Sequence, residues 1–383
     1  MSAASQPSTI PQGARLHALD GLRGAAAVVV VAFHVIGQTQ LSDAVASLLL
    51  ASPFGLLVNG PGAVHVFFVL SGYVLALTLS RDTRPGRLAR FYVRRWFRIQ
   101  PPYMAAVLFA WAVSQWVMPV GAQAAGAPWV RLPAQALPVA LFFPSMAFGL
   151  LPVGWSLFIE LAMSAVFPLL FLLGRRLHPL VPVALGFALL HAFDPRWRFL
   201  RFAIDFALGF ALFAGAGGIT RFVQRFPRSA PAIAGVAGVA LLQFPFAVGF
   251  AHTGFAGIEQ GHSPAAIVPF ALGSALLIIA ALHAPALRRA FSSPLASFFG
   301  RVSYSLYLVH YSVMICFVLR FPGYRFEWPA ALLVFAATLA ISSALSELGY
   351  RAIELPSIRA GRALIRTAER FAGRTRRAPG DPA

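Results

Sequence analysis

The sequence predicts an all-α, polytopic integral membrane bundle of about ten transmembrane helices, with both termini in the cytoplasm. Three observations carry that reading. Of 383 residues, 58% are hydrophobic and only 11% are charged, where a soluble domain carries about a quarter charged residues. The apolar residues gather into ten runs long enough, or nearly so, to cross a hydrocarbon layer of roughly 30 Å as helices. All 31 basic residues are arginine, and most fall in every second connection between those runs, the bias that marks cytoplasmic loops.

The runs lie near 22–40, 63–80, 103–120, 155–174, 179–193, 199–217, 230–250, 264–284, 303–320 and 327–350. With the N-terminus inside, 24 arginines occupy the inner segments and six the outer ones, while Arg23 stands at the mouth of span one. The first run holds Arg23 and His34 and lacks a small-residue cleavage pattern, so it is expected to be kept as a span. The segment 136–151 is apolar but short, and Pro138, Pro144 and Pro152 interrupt it. It is read as an interfacial or re-entrant piece of an outer loop; as an eleventh span it would put the later arginines on the wrong side.

The net charge of +19 would suggest nucleic acid in a soluble protein. Here the arginines border apolar runs, so the expected partner is the lipid bilayer, without nucleic acid. The single cysteine, Cys316, rules out an internal disulfide and a cysteine-based metal site, and no metal is expected. Residues 1–360 are read as one transmembrane domain and 361–383 as a basic cytoplasmic tail. Pro356 is expected to stop span ten, and the tail to lie on the anionic inner leaflet.

Ionisable groups inside spans are costly and usually pair or serve function. In span one, Arg23 and His34 stand eleven residues apart, close to three helical turns, so both lie on one face. The spacing puts Arg23 near the cytoplasmic surface and His34 near the midplane, with Asp20 placed to pair with Arg23. Arg90, Arg94, Arg95 and Arg98 precede span three. They suit either a phosphate clamp or an ordinary positive-inside loop, and Arg95 and Arg98 share a face if the helix already runs there. Ser156, Glu160 and Ser164 form a polar stripe in span four, read as a wet or paired site or as a helix–helix hydrogen bond. Ser303, Tyr307 and His310 form another in span nine, with Tyr311 beside it. Glu347 and Arg351 are an i, i+4 pair with a structural reading. Asp205 has no obvious partner, and His65 is ambiguous.

Six pieces of the chain, in order, resemble the acyltransferase family 3 membrane proteins: ALDGLRGAAAVVVVAFH (18–34), VHVFFVLSGYVL (64–75), YVRRWFRIQPPY (92–103), VGWSLFIELAMSAVFPLL (153–170), GRVSYSLYLVHYS (300–312) and YRAIELPS (350–357). The resemblance runs from about 15 to 360. It implies a ten-span bundle of the plasma (bacterial inner) membrane. Such a bundle moves an acetyl or other acyl group from cytoplasmic acyl-CoA, most often acetyl-CoA, to a hydroxyl of a carbohydrate, glycolipid or related acceptor. Carried over by motif, Arg23 and His34 are the central pair. Arg95 and Arg98, with neighbouring Arg94, are the donor-binding arginines. Glu160, Tyr307, His310, Trp155 and Ser71 are supporting positions. The chain departs from the family pattern at Leu161, Ala162 and Met163, where a polar or aromatic run is common, and at His65. His34 would act either as a base toward the acceptor hydroxyl or through an acyl-imidazole. A transporter or flippase, and a non-catalytic assembly protein, are the competing classes; no inverted repeat points to the first.

Overall fold

A computed structural model describes residues 12–37, 52–117, 134–144, 149–192, 195–260, 264–320 and 328–375. The described residues are almost entirely helical. The α-helices are α1 (Gln12–Ile36), α2 (Gly60–Arg81), α3 (Arg87–Val117), α4 (Leu137–Phe142), α5 (Gly154–Arg176), α6 (Val181–Ala192), α7 (Ala203–Ala214), α8 (Ala216–Val223), α9 (Ala230–Gln260), α10 (Pro264–His283), α11 (Pro285–Phe291), α12 (Pro294–Arg320), α13 (Trp328–Gly349) and α14 (Leu355–Thr375).

Among the described residues, seven helices are long and apolar enough to cross a membrane, or eight if α7 and α8, bent by 69° at their junction, form one span. They correspond to expected spans one, two, four and six to ten. Expected span three is the apolar second half of α3, a 31-residue helix whose first half carries the arginine cluster. Expected span five is α6, only 12 residues long. Segment 136–151 forms no eleventh span among the described residues. Its α4 has six residues, about 9 Å of rise. Polar groups of α3 hold it: Tyr103 Oη donates to Ala140 O at 2.6 Å and Gln100 Nε2 to Leu141 O at 2.8 Å.

Apolar burial does little to bring helices together in lipid, so small residues that permit backbone approach matter more. α1 and α12 meet in this way. A Cβ on Gly24 would overlap the backbone of Phe299 and Gly300, and one on Gly300 would overlap the backbone of Asp20. The two helices run parallel, since Arg23 reaches Ser303 and His34 reaches His310. Spans one and nine of the expected topology also run in the same direction. α2 and α7 approach similarly at Gly72 and Gly209.

α1 begins at Gln12 rather than near 22, which places His34 in its last turn.

Pro356 does not stop the helix. The chain leaves α13 through a π-helical turn, Tyr350–Glu354, in which Leu355 N donates to Tyr350 O, and continues as α14. A wide turn absorbs the amide that proline lacks. Residue 360 thus falls inside a helix. α14 is docked on α3 by a second proline effect. Pro101 and Pro102 lie within α3, and Pro101 cannot donate to the carbonyl four residues earlier, Phe97 O. Ser357 Oγ supplies that bond at 2.7 Å. At the other end of α14, Glu369 pairs with Arg84 and Arg90, each at 3.4 Å.

The Gly24 contact is backbone against backbone, so nothing can move aside. Gly24→Leu is expected to destabilise the detergent-solubilised protein by about 2 kcal/mol or more, as overpacking does. Thermal unfolding followed by circular dichroism reads this. Gly218→Ala, where an added Cβ meets nothing within 4 Å, should leave the midpoint unchanged or slightly raised.

Candidate active site

A cavity of about 310 Å³ lies between α1, α2, α3, α5, α12 and α14. Ten of the residues singled out in the sequence line it: Asp20, Arg23, Ser71, Arg94, Arg95, Arg98, Ser156, Glu160, Ser303 and Tyr307. α3 runs as a helix through the arginine cluster, and that puts Arg95 and Arg98 on one face. Arg95 Nε donates to Ser164 Oγ at 2.9 Å, and its Nη2 pairs with Glu160. Ser71 Oγ approaches the same carboxylate at 3.4 Å. The polar stripe of α5 thus fixes one arginine at the cavity wall, combining the two readings given to Glu160. Tyr92 Oη helps hold α3 against α5 through Ala165 O at 2.8 Å.

Asp82, just past α2, organises the mouth. Arg90 binds it through Nε at 2.8 Å and Nη2 at 2.7 Å, and Arg94 Nη2 binds it at 2.6 Å. The hydrogen bond from Arg90 is the largest influence on this carboxyl and holds it well below the usual carboxylate range; Arg90 is raised in turn. The pair's contribution to stability is therefore fully present at neutral pH. It is lost only as pH falls below the ordinary carboxylate range toward the depressed value.

Arg23 donates from Nε to Ser303 Oγ at 2.9 Å, and Ser303 donates onward to Gly300 O at 2.9 Å. Ser303, not the exposed Asp20, is its hydrogen-bond partner. Tyr307 lies one turn beyond Ser303, its hydroxyl 2.7 Å from Ser156 Oγ. Its ring meets Phe67 edge-on, with centroids 5.8 Å apart. Both rings line the cavity.

His34 and His310 lie outside the cavity lining. The His310 ring is 5.9 Å from that of Tyr307. The two histidines touch: His310 Nε2 is 3.0 Å from His34 Nδ1. His34 Nδ1 is also 3.0 Å from Val30 O, and His310 Nδ1 is 3.1 Å from Leu306 O. A carbonyl only accepts, so in the neutral rings each Nδ1 carries the hydrogen. His310 Nε2 then holds the lone pair that faces His34 Nδ1–H. This leaves His34 Nε2 unprotonated, as a base or nucleophile requires. Edge-on contacts with Phe33 and Tyr311 hold the His34 ring.

Trp155 lies outside the lining and packs against Phe68 and Phe202. Asp205 has a partner after all: His65 Nδ1 lies 2.8 Å from its Oδ1, and both side chains are fully buried. This pair joins α2 to α7, with His65 stacked on Phe270 at 5.0 Å. Three residues were missed. Asp82 lies between quoted segments, and Glu354 lies within one quoted for other reasons; Glu354 is buried in the π-turn, accepts from Ser305 Oγ at 3.2 Å and faces Arg98 and Arg23. Arg362, assigned to the tail, lines the cavity. A carboxylate at the end of an apolar span was the signal for Glu354; nothing in the sequence distinguished Arg362 from its basic neighbours.

Among the described residues, no cluster of three or more histidine, cysteine or acidic side chains is arranged to hold a metal ion. No solved structure matches the chain. One curated relative, acyltransferase MdmB of Streptomyces mycarofaciens, is 31% identical over 173 residues, which is 44% of this chain and 42% of the relative. The matched stretch thus covers less than half of either protein. A family model described as an acyltransferase domain matches residues 16–347. That match takes in α1 with its arginine and histidine, the arginine face of α3 and the polar stripes of α5 and α12, and by it the chain belongs to the acyltransferase family 3 of membrane proteins.

Proposed function

We propose that this multi-pass membrane protein transfers an acyl group from acyl-CoA, bound at the arginine-rich end of the bundle, to a hydroxyl of a carbohydrate, glycolipid or related acceptor. The observation that carries this is the cavity itself. Guanidinium groups line it, and so does Tyr307, whose ring lies next to a histidine pair whose hydrogen bonds leave one nitrogen basic. The arginine bias places the guanidinium end in the cytoplasm, where acyl-CoA is made, and the expected membrane is the bacterial inner membrane.

Arg98 and Arg95 bind the donor's phosphates, Arg95 being pre-oriented by Glu160 and Ser164. The acyl-bearing arm follows the cavity past Arg23. Its thioester meets His34 once Tyr307 and Phe67 part. His34 Nε2 takes the proton as the acceptor oxygen attacks the thioester carbonyl; the new C–O bond forms, the C–S bond breaks, and the proton passes to the departing CoA thiolate. His310 keeps its lone pair on His34 Nδ1–H and so holds the tautomer and offsets the imidazolium charge. That is the part an orienting carboxylate plays in a hydrolase triad.

His34→Ala is expected to lower turnover by ~10²–10⁴-fold, the usual contribution of a general base, while the protein still inserts. Release of CoA thiol by purified protein, with surface glycans and lipids weighed by mass spectrometry, measures it. Retained turnover in this variant, or substrate uptake without acyl-CoA consumption, would sink the reading. His310→Ala should lower kcat by at least ~10²-fold without changing KM for the donor, because the base remains but its tautomer is released. Arg98→Ala should do the opposite: KM for acyl-CoA rises about tenfold, the loss of one charge-assisted hydrogen bond, with kcat little changed.

A further inference from the structure

The arginines at the cavity differ in how they are compensated. Arg94 binds Asp82, and Arg95 binds Glu160 and Ser164. Arg98 and Arg362 also line the cavity, yet among the described residues neither donates a side-chain hydrogen bond or closes an ion pair. Two unengaged guanidinium groups facing one cavity are placed to recognise an anion, and their fork of donors matches phosphate oxygens.

Arg362 does not reach the cavity by chance of a loose tail. Three features fix α14 against α3 on both sides of it. Ser357 caps the carbonyl of Phe97 that Pro101 leaves unbonded. Gly361 is buried on the Phe97 ring, where any Cβ would overlap it. Glu369 pairs with Arg84 and Arg90. Ile358 and Arg362, one turn apart on the same face, are then both directed into the cavity. The family match stops at residue 347, and Arg362 lies beyond both that match and the 350–357 piece of the resemblance.

We propose that α14 completes the donor site and that Arg362 and Arg98 together clamp a phosphoryl group of the acyl donor. This rests on the acyl-CoA reading above and adds to it a binding residue supplied by the C-terminal helix. Ligands with the same thioester but no phosphate lose this contact.

The test compares full-length wild type, Arg362→Ala and Arg366→Ala, with acetyl-CoA and with acetylpantetheine, which has the thioester and lacks the phosphates. Arg366 is exposed on the same helix and does not line the cavity. Arg362→Ala should raise KM for acetyl-CoA about tenfold, as loss of a charge-assisted contact does, with kcat within about twofold and acetylpantetheine kinetics unchanged. Arg366→Ala should match wild type with both. An unchanged KM in Arg362→Ala overturns the proposal. So does an equal rise for both thioesters, which would mean a structural effect, or the same rise in Arg366→Ala, which would mean general surface charge. If wild type itself releases no thiol from acetyl-CoA, the functional reading fails separately. Calorimetric titration with CoA then decides the clamp: about tenfold weaker binding in Arg362→Ala upholds it, and equal or absent binding overturns it.

Discussion

The close approach of α1 and α12 is the constraint on which the rest of the site depends. With glycine at 24 and at 300, the two backbones touch, and everything polar that follows is a matter of register. Arg23 meets Ser303 near the contact, and His34 meets His310 farther along. Parallel helices keep such pairs in step. Eleven residues on α1 answer seven on α12, and the difference is taken up by the long reach of arginine at one end and the short reach of histidine at the other. A wider crossing would leave an imidazole nitrogen and a guanidinium without partners in a medium that supplies no water.

The same rule of satisfaction explains the least expected part of the fold. Two consecutive prolines in a membrane-proximal helix leave carbonyls unbonded. Phe97 O, which Pro101 leaves open, finds Ser357, and that bond anchors the C-terminal helix on α3. A bond outside the proline defect, from the Tyr304 hydroxyl to Ile99 O at 2.7 Å, ties α3 to α12. Together the two bonds gather three separate parts of the chain around one cavity.

Much of this was legible in the sequence, and the limits have physical causes. The shared face of Arg23 and His34 and the stripes on α5 and α12 follow from helical period alone, and they line or adjoin the site. The start of α1 was misjudged because the helix extends past its apolar run toward the N-terminus, and hydropathy does not see that. Asp205 looked unpartnered because its partner, His65, is 140 residues away, and pairing across helices leaves no periodic trace. Pro356 looked like a terminus because a proline usually is one; a π-turn, invisible in composition, carried the helix through it. Arg362 was hidden among equivalent arginines until the docking of α14 gave it a direction.

The distribution of acid groups then sorts the arginines by task. The chain has 12 acidic residues against 31 arginines, so most guanidinium groups have no carboxylate to meet. Two of the carboxylates near the cavity hold particular arginines still: Asp82 takes Arg90 and Arg94, and Glu160 takes Arg95. Glu354 accepts from Ser305 while facing Arg23 and Arg98 across the buried π-turn. It lowers the electrostatic cost of two cations so close together without closing an ion pair on either. A site meant only to orient the protein in the membrane needs no such arrangement, because solvated loop arginines satisfy the positive-inside bias unaided. Fixing some guanidinium groups while keeping others open toward one cavity is what anion recognition requires: rigid walls and donors not already used.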